Sequence, residues 1–436
     1  MSDLRKPPHP WLFALTGIPY GVGGAFTAQM MPSFAEDAGY HLDKIGWFTT
    51  LLFVPTWLQF LYTPVLDLGP SRRHWLIGLA LFGAACFGIA CAIPLETHIT
   101  AFLVLAFAGQ VISGLVGSCN GALMATTIPD QLRGSAGAAY NIGNISGGAV
   151  VGSALLALHG EIPPWLLGLI AVVLMVGPSL AVLAIVEPYR EKVSDVWTPM
   201  LRDVKSVVFS KSGITGILLM LSPVGTAALT NSFTALKNDY HVGKTTVALV
   251  NGLDAAALNA LGAWIGGKLC DRNSRRAMYL LSGVLTAIVS FVVAQQAQTT
   301  TVYVVGISAY NLVTGVCFAA FTATVLETIG HGDAAAATKY ALCTAAGNVA
   351  IAYTNLADTQ AYAHFGNSAS HLFSSDAVLN IAGVAVLGAI FWKLRSFGAT
   401  KHPPEAAIDT APPPEPWSES ALPVARVVHD DSDSRS

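Results

Sequence analysis

A single carboxylate inside a long apolar run is the residue of this sequence best suited to carry chemistry. Asp254 lies 10 residues after Lys244 and 14 before Lys268, among apolar, amide and hydroxyl side chains. A helix rises about 1.5 Å per residue, which predicts a position at mid-depth in a bilayer. A charge there costs roughly 2.5 to 3.5 kcal/mol on insertion scales. A buried carboxyl can hold a proton and release it when wetted, so Asp254 is the proton-coupling candidate.

The alternative for Asp254 is a structural role, in which the carboxyl stays protonated or hydrogen-bonded. Asn251 lies three residues before it and shares its helix face. Asn259 lies five residues after it and is the second potential partner. Both interpretations are open at this point.

Two charged loops resemble each other. TPVLDLGPSRRHW follows the second apolar run and GGKLCDRNSRRAM follows the eighth, which aligns Asp67 with Asp271 at an offset of 204. YNIGNISGG from Tyr140 and YALCTAAGN from Tyr340 align at an offset of 200. Two independent stretches with nearly one offset indicate a duplicated six-helix unit, an arrangement found in secondary transporters.

The acids in these loops are candidates for a latch. Each lies at a helix end beside arginines, with which it can form charge-assisted hydrogen bonds that link one helix bundle to the next. Breaking such a latch would shift the balance between two conformations. The alternative is that these charges only set topology. The candidate latch residues are Asp67, Arg72, Arg73, Asp271, Arg272, Arg275 and Arg276.

The composition indicates a polytopic membrane protein. Of 436 residues, 53% are hydrophobic and 11% are charged, and the mean hydropathy is +0.55. The formal net charge of -3 gives no indication of a nucleic-acid partner. The six cysteines show no CxxC or metal-site spacing, so no metal or cofactor is expected.

Twelve apolar runs are long enough to cross a bilayer as helices. The fold class predicted is an all-α membrane protein with twelve transmembrane helices in two six-helix pseudo-symmetric halves. The runs cover residues 11–35, 44–66, 75–94, 99–128, 134–158, 164–186, 212–237, 244–268, 277–296, 301–328, 335–358 and 373–393.

The domain organisation follows from these runs. The predicted segments are an N-terminal stretch over 1–10, a first bundle over 11–186, a linker over 187–211, a second bundle over 212–395 and a tail over 396–436. The tail contains PPPEP and acidic and serine residues without apolar periodicity, which predicts disorder. With the N-terminus inside, all 23 lysines and arginines except Lys44, Lys237 and Lys244 fall on the cytoplasmic side. This predicts a multi-pass cytoplasmic (inner) membrane protein with both termini in the cytoplasm.

Polar residues within the spans are concentrated in helices one, two, four, five, seven, eight, ten and eleven. Polar groups in hydrocarbon need partners, so these helices are expected to surround a wet cavity. Helices three, six and twelve read as almost wholly apolar outer supports. The candidate cavity residues are Tyr20, Gln29, Gln59, Asn120, Asn141, Asn144, Asn231, Asn251, Asn311 and Asn348.

Three further charged residues are expected near helix ends. Glu327 and Lys339 are predicted to form an ion pair with each other, and Asp358 is expected near the outer mouth. No lysine or arginine falls at mid-depth. This favours a neutral, zwitterionic, amide-bearing or sugar-like substrate over phosphates and dicarboxylates.

The loop GGKLCDRNSRR resembles the G-x-L-x-D-R-x-x-R-R signature of the major facilitator superfamily at its second-repeat position. The first copy keeps Asp67, Arg72 and Arg73, but has Thr63 at the glycine position and Leu68 at the arginine position. FLYTPVLDLGPSRRHWL is similar to the AmpG-like branch, which contains the bacterial muropeptide permease and the acetyl-CoA transporters. The superfamily resemblance implies two halves that rock about a central site. The lack of a deep cation argues against an acetyl-CoA-like substrate.

The leading functional hypothesis is secondary active transport of a polar small molecule by alternating access, with proton-coupled uptake. One alternative is a facilitator-like receptor or sensor without turnover. Another is a drug/proton efflux antiporter, because the glycine pairs Gly143/Gly147 and Gly148/Gly152 partly resemble that group's motif; the Gly-Pro pair is absent, and close helix packing is favoured. HExxH and GxSxG are absent, so an enzyme is not expected. The expected partners are the substrate, protons and the lipid bilayer, without nucleic acid, and the chain is expected to be a monomer.

Overall fold

The computed structural model describes residues 7–68, 70–187, 209–330, 335–366 and 368–393, together with Arg202 and Lys205. The predicted tail over 396–436 lies outside the described residues. So do residues 1–6 of the predicted N-terminal stretch and most of the predicted linker over 187–211. The predicted domain boundaries stay predictions.

The described chain folds into twelve helical elements, because a segment in hydrocarbon must satisfy its own backbone hydrogen bonds. Nine of them are long and apolar enough to cross a membrane. The first six are α1 (Leu12–Ala25, Phe26–Met30 and Met31–Asp37), α2 (Leu42–Tyr62 and Thr63–Asp67), α3 (Arg72–Ala92), α4 (Leu95–Thr127), α5 (Arg133–Asn141, Ile142–Gly147 and Gly148–Leu158) and α6 (Pro164–Ser179 and Leu180–Ala184). The last six are α7 (Lys211–Met220, Ala228–Asn231 and Ala235–Lys237), α8 (Lys244–Leu249, Val250–Asp254 and Ala255–Arg272), α9 (Arg275–Ala294), α10 (Thr300–Ile329), α11 (Ala336–His364) and α12 (Ala369–Lys393).

The two sets of six helices are packed in the same way, which confirms the predicted pseudo-symmetric fold. In the first half α3 contacts α4 and α6, and in the second half the equivalent α9 contacts α10 and α12. The halves meet through two equivalent pairs, α5 against α8 and α11 against α2. We call the end of the bundle that holds Asp67, Asp130 and Asp271 the basic end, because most arginines of the spans lie there.

Helix α7 is broken, unlike the continuous helix predicted over 212–237. Its first part ends at Met220 and its chain continues in 3-10 turns from Ala228. Pro223 has no N–H to offer to a helix, and Gly225 and Ala227 have φ of 62° and 53°. Irregular backbone at membrane depth is tolerated where it is buried in protein or lines a cavity. The break in α7 is therefore expected to border a cavity.

Helix α12 differs from the apolar support that the sequence suggested. Asp376 and Asn380 lie on its inner face, and both are fully buried. They are four residues apart, one helical turn, so their side chains are neighbours. The apolar stretch around them hid a polar face that is directed into the second half.

Helices α1 and α5 cross with their backbones in contact, which confirms the packing interpretation of the α5 glycines. A Cβ on Gly143 would lie 1.7 Å from the carbonyl oxygen of Ala14, and a Cβ on Gly148 would lie 2.5 Å from the carbonyl carbon of Gly21. A Cβ on Gly21 would lie 1.8 Å from the carbonyl oxygen of Asn144. No side chain can replace these glycines unless the helices separate.

We expect Gly143→Ala to destabilise the protein by about 1–3 kcal/mol or more, because the added methyl group overlaps backbone atoms of α1. Thermal unfolding of the purified protein in detergent measures the effect as a lower midpoint. Gly24→Ala is the control, because a Cβ on Gly24 meets nothing within 4 Å. A Gly143→Ala protein that melts with the control would show that the crossing tolerates side chains.

Candidate functional site

A cavity with about 670 Å³ of space, its open side included, lies between the two halves. The first half contributes α1, α2, α4 and α5 to its wall, and the second half contributes α7, α9, α10 and α11. Predicted cavity residues that line it are Tyr20, Gln59, Asn141, Asn144 and Asn348. We call this space the central cavity.

The floor of the central cavity is formed by tyrosines from equivalent helices. Tyr140 on α5 and Tyr340 on α11 are each 3% exposed, and both line the cavity together with Tyr20 of α1. The ring of Tyr340 lies over Gly121 of α4, where a Cβ would come within 2.1 Å of ring atoms. Aromatic faces with a few hydroxyl and amide groups suit a small polar molecule that carries no net charge.

The described residues that line the central cavity include no lysine, arginine, aspartate or glutamate. Its polar groups are amides, such as Gln59 and Asn348, and hydroxyls, such as Thr322 and Thr344. These groups can each donate and accept hydrogen bonds. The wall therefore fits alcohol and amide groups better than a phosphate or a carboxylate.

A second cavity with about 540 Å³ of space lies between α5, α7, α8 and α10 and includes the predicted residues Asn251 and Asn311. Three buried polar atoms on its wall have no hydrogen-bond partner among the described residues: Asn251 Oδ1, Asn311 Nδ2 and Thr314 Oγ1. A buried polar group without a partner costs free energy, so water or another polar molecule is expected in this space.

The other predicted cavity residues lie outside the walls of both cavities. Asn120 is fully buried and donates its Nδ2 to the carbonyl oxygen of Thr16 at 2.7 Å, which ties α4 to α1. Gln29 faces Gly152 of α5. Asn231 is exposed at the end of the first 3-10 turn of α7. An amide can satisfy a helix contact or face the outside as well as line a cavity, and residue type alone does not distinguish these positions.

Asp254 is partly exposed and closes the π-helical turn Val250–Asp254 of α8. Its Oδ2 accepts a hydrogen bond from Ser308 Oγ of α10 at 2.6 Å. Asn251, one of the two amide partners that the sequence suggested for Asp254, binds other groups. It donates to Thr234 Oγ1 and Tyr303 Oη at 3.2 Å each. Asp254 belongs to the lining of neither cavity.

The two aligned acids join the halves at the basic end through backbone amides. Asp67 accepts hydrogen bonds from the backbone N–H groups of Ala337 and Thr338 at 3.2 and 3.0 Å, and from Thr338 Oγ1 at 2.6 Å. These groups are at the start of α11. A carboxylate is favoured there because the first N–H groups of a helix are free and the helix dipole is positive at that end.

Asp271 makes the equivalent contact in the opposite sense. It accepts from the backbone N–H of Gly134 at 2.8 Å and of Ser135 at 3.1 Å, and also from Ser135 Oγ, at the start of α5. The two recipient sites are 203 residues apart and the two acids 204 apart, so the pair of contacts reproduces the duplication. We call these two contacts the paired caps.

The predicted latch arginines lie beside the paired caps, and the link between the halves is formed by the two acids together with one of these arginines, Arg275. Arg72 is fully buried, 3.6 Å from Asp67 and 3.7 Å from Glu187. Arg275 donates to the backbone carbonyl of Asp130 and so crosses the halves. Arg73 is half-buried and Arg272 is exposed.

Glu327 has other partners than the expected Lys339. It lies 3.5 Å from Arg275 and 3.4 Å from Arg276, both at the start of α9. Asp358 is fully buried, so it is not at a solvent-facing mouth, and its depth near the outer end of α11 stays a prediction. In both cases a neighbouring helix supplies surroundings that spacing along the chain does not indicate.

Other hydrogen bonds between the halves lie at the central cavity or on its basic-end side. Arg133, which the sequence analysis did not select, donates to the carbonyl oxygens of Leu326 and Gly330 at 2.6 and 3.1 Å. Asn141 donates to Thr322 Oγ1 at 2.8 Å, and Asn348 donates to the carbonyl oxygen of Thr56 at 3.2 Å. In the described part of the chain this end of the bundle is therefore closed.

Asp376 is not among the predicted site residues, because the sequence predicts an apolar helix twelve. It accepts from Ser290 Oγ at 2.5 Å, from Asn380 Nδ2 at 3.2 Å and from Tyr310 Oη at 3.5 Å. Asn380 in turn accepts from the backbone N–H of Gly225, in the break of α7, at 2.8 Å. The sequence signal was an acid and an amide one turn apart inside an apolar run.

Comparison with known proteins gives one family and a shared fold. A sequence profile described as Major Facilitator Superfamily matches residues 13–353. No curated protein matches the chain. The structure is similar to that of the human organic anion transporter MFSD10 (TETRAN), with a TM-score of 0.68, 15% identity and coverage of 86% of this chain and 98% of that one.

Two symporters are also similar in structure. The E. coli fucose:proton symporter FucP, in its outward conformation, has a TM-score of 0.66, 13% identity and coverage of 87% of this chain and 97% of that one. The proton:xylose symporter XylE, bound to 6-bromo-6-deoxy-D-glucose, has a TM-score of 0.63, 13% identity and coverage of 88% and 94%. At sequence identities of 13–15%, these similarities show a shared fold and no more.

We expect Asp271→Asn to weaken one of the paired caps, because a neutral amide interacts less with the helix start than a carboxylate does. Exchange of the Gly134 and Ser135 amide hydrogens should accelerate by up to about 30-fold, equivalent to about 2 kcal/mol. Hydrogen exchange read by mass spectrometry measures this. The control is Arg272→Gln, which changes the charge of an exposed neighbour; equal acceleration in both variants would contradict the cap.

Proposed function

Because the chain belongs to the Major Facilitator Superfamily, we propose that it is a secondary active transporter of a neutral polar small molecule. The central cavity carries this proposal, since its wall is built from both halves and offers uncharged hydroxyl, amide and aromatic groups. Transport by alternating access requires such a site between two bodies that can rock. An enzymatic role is not proposed.

The basic end is proposed to face the cytoplasm of an inner membrane, with both termini inside. The distribution of lysines and arginines supports this orientation. In that orientation the paired caps close the cytoplasmic side, and the central cavity opens outward. The similarity to FucP in its outward conformation is consistent with this state.

The substrate class follows from the chemistry of the wall. Amide and hydroxyl groups recognise sugars and amides through paired donors and acceptors, and tyrosine rings cover apolar ring faces. Two of the similar structures are named as symporters of fucose and xylose with protons. Uptake of a sugar-like solute with protons is therefore the proposed direction, while the narrower assignment to the muropeptide permease branch stays a prediction.

Proton coupling through Asp254 stays part of this proposal. The carboxyl lies within the membrane span, in a π-helical turn, an irregularity that is frequent at functional sites. Ser308 of α10 donates a hydrogen bond to the carboxyl at 2.6 Å, which joins Asp254 to a second helix of the same half. A receptor without turnover and a drug/proton antiporter remain the alternatives, and a monomer remains the expected state.

We expect proteoliposomes containing the protein to accumulate at least one of radiolabelled L-fucose, D-xylose or N-acetylglucosamine when the outside is acidic. Asn144→Ala should raise the half-saturating concentration about tenfold, because about 1.4 kcal/mol of hydrogen bonding to the solute is lost. Asn273→Ala is the matched control at an exposed position of the basic end. Binding without accumulation would favour a receptor, and export driven by the gradient would favour an antiporter.

We expect Asp254→Asn to abolish the dependence of uptake on the pH gradient while downhill exchange of the same solute continues. The amide has nearly the shape of the carboxyl but cannot exchange a proton. Uptake with and without the gradient, compared with counterflow in the same vesicles, separates the two activities. Gradient-driven uptake at the wild-type level in Asp254→Asn would remove this residue from the coupling.

A further inference from the structure

Two carboxyl groups are buried in the second half, outside the lining of both cavities. Asp358 of α11 and Asp376 of α12 are both 0% exposed, and the helices that carry them pack against each other, so that the two charges interact. Neither takes part in an ion pair with a described cation. Two ionised carboxylates without a cation are strongly unfavourable in such a site, so the pair retains a proton.

The remaining surroundings of the pair are uncharged. Helix α10 contributes the titratable groups Tyr310 and Cys317. Helix α9 contributes the hydroxyl of Ser290, and the α7 break contributes the backbone of Gly225 through Asn380. No described lysine, arginine or histidine contacts either acid, so the proton remains the means of neutralising the pair.

The two acids have different hydrogen bonding, which indicates where the proton lies. Asp376 accepts from Ser290, Asn380 and Tyr310, an arrangement that stabilises a carboxylate. Asp358 has Ser375 as its neighbouring hydroxyl, and neither of its oxygens has a hydrogen bond of ordinary geometry. A buried group of this kind is less costly when neutral. The proton is therefore assigned to Asp358 and the charge to Asp376.

The pair is connected to the wall of the central cavity by Asn380. Asn380 donates its Nδ2 to Asp376 Oδ1 at 3.2 Å, which leaves its Oδ1 to accept from the Gly225 N–H at 2.8 Å. Gly225 and Thr226 line the central cavity. A change at Asp376 therefore reaches the cavity through one side chain.

The position of Asp358 along α11 fits the same connection. Ile351 lines the central cavity, and Asp358 lies seven residues further, two turns or about 10 Å along the helix on nearly the same face. Helix α11 also contacts α12 and the first 3-10 turn of α7. Movement of these three elements against each other would alter the pair and the cavity wall together.

We propose that Asp358 and Asp376 form a one-proton site whose occupancy controls the break of α7 through Asn380. With the proton on Asp358, the pair carries one negative charge and Asn380 holds Gly225. Release of that proton to water leaves two carboxylates that repel each other, so α11 and α12 separate or admit water and the hold on Gly225 is lost. This inference rests on the proposed transport function and adds a coupling site distinct from Asp254.

Hydrogen exchange of the α7 break tests this without any substrate. In the purified wild-type protein, protection of the segment 221–227 should fall about tenfold between about pH 6 and about pH 9, after correction for the intrinsic exchange rate. Asp358→Asn should keep the segment protected across that range, because the pair can no longer gain a second charge. Asp376→Asn should lower the protection at every pH, because Asn380 loses its carboxylate.

Glu161→Gln is the control, since it removes an exposed carboxyl outside the sites described and should leave the pH dependence of this segment intact. If a variant fails to fold, infrared spectra of the wild-type protein labelled with [13C]aspartate test the same protonation. The band of a protonated aspartic acid should disappear over the same pH range. Protection that is independent of pH in the wild type, or equally altered by Glu161→Gln, would overturn the proposal.

Sodium provides the competing outcome. If NaCl at fixed pH removes the protonated aspartic acid band and changes protection as alkali does, the site binds sodium and the proton assignment is wrong; if KCl and NaCl are alike, the assignment stands. Failure of solute uptake with the exchange result intact would count against the transport proposal alone. Uptake without the exchange result would count against this site alone.

Discussion

The closure of one end of this protein depends on the free N–H groups at the start of two helices. The first turns of α5 and α11 have backbone donors that no residue of their own helix can accept from. Each receives a carboxylate from the opposite half, Asp271 for α5 and Asp67 for α11. A requirement of helix formation is thus met across the interface between halves. Separating the halves exposes both helix starts at once. Opening this end therefore costs the free energy of both caps together.

The second half differs from the first in how its backbone is satisfied. The break of α7 leaves N–H groups without helical partners, and Asn380 accepts from one of them at Gly225. Asn380 is itself oriented by Asp376 of the same helix. Irregular backbone beside a cavity needs such side-chain partners because the membrane offers none. The position of Gly225 in the cavity wall therefore depends on the buried side chains of Asn380 and Asp376.

The sequence predicted the architecture well because apolar length and duplication are both properties of the chain itself. The offset between Asp67 and Asp271 led to the residues that join the halves. Their partners were expected to be arginines, but backbone amides at helix starts are invisible in residue types. Glu327 was given the wrong partner for a related reason, since the start of α9 folds beside it.

The cavity residues were predicted in part, because amides such as Asn120 and Asn348 look alike in sequence although one ties two helices together and the other lines the cavity. The pair Asp358 and Asp376 was overlooked because burial by neighbouring helices, and not position along a span, brings them together.

The glycine contacts between α1 and α5 distinguish the first helix of the first half from its counterpart in the second half. Gly21 and Gly143 place backbone against backbone, so α1 cannot slide or bend relative to α5 without collision. Its counterpart in the second half, α7, is broken and is held by side chains. The first helix of each half is thus held differently, by backbone contact in α1 and by side chains in α7. A displacement of the helices at the cavity is therefore expected to change the chain at the α7 break before it changes the crossing of α1 and α5.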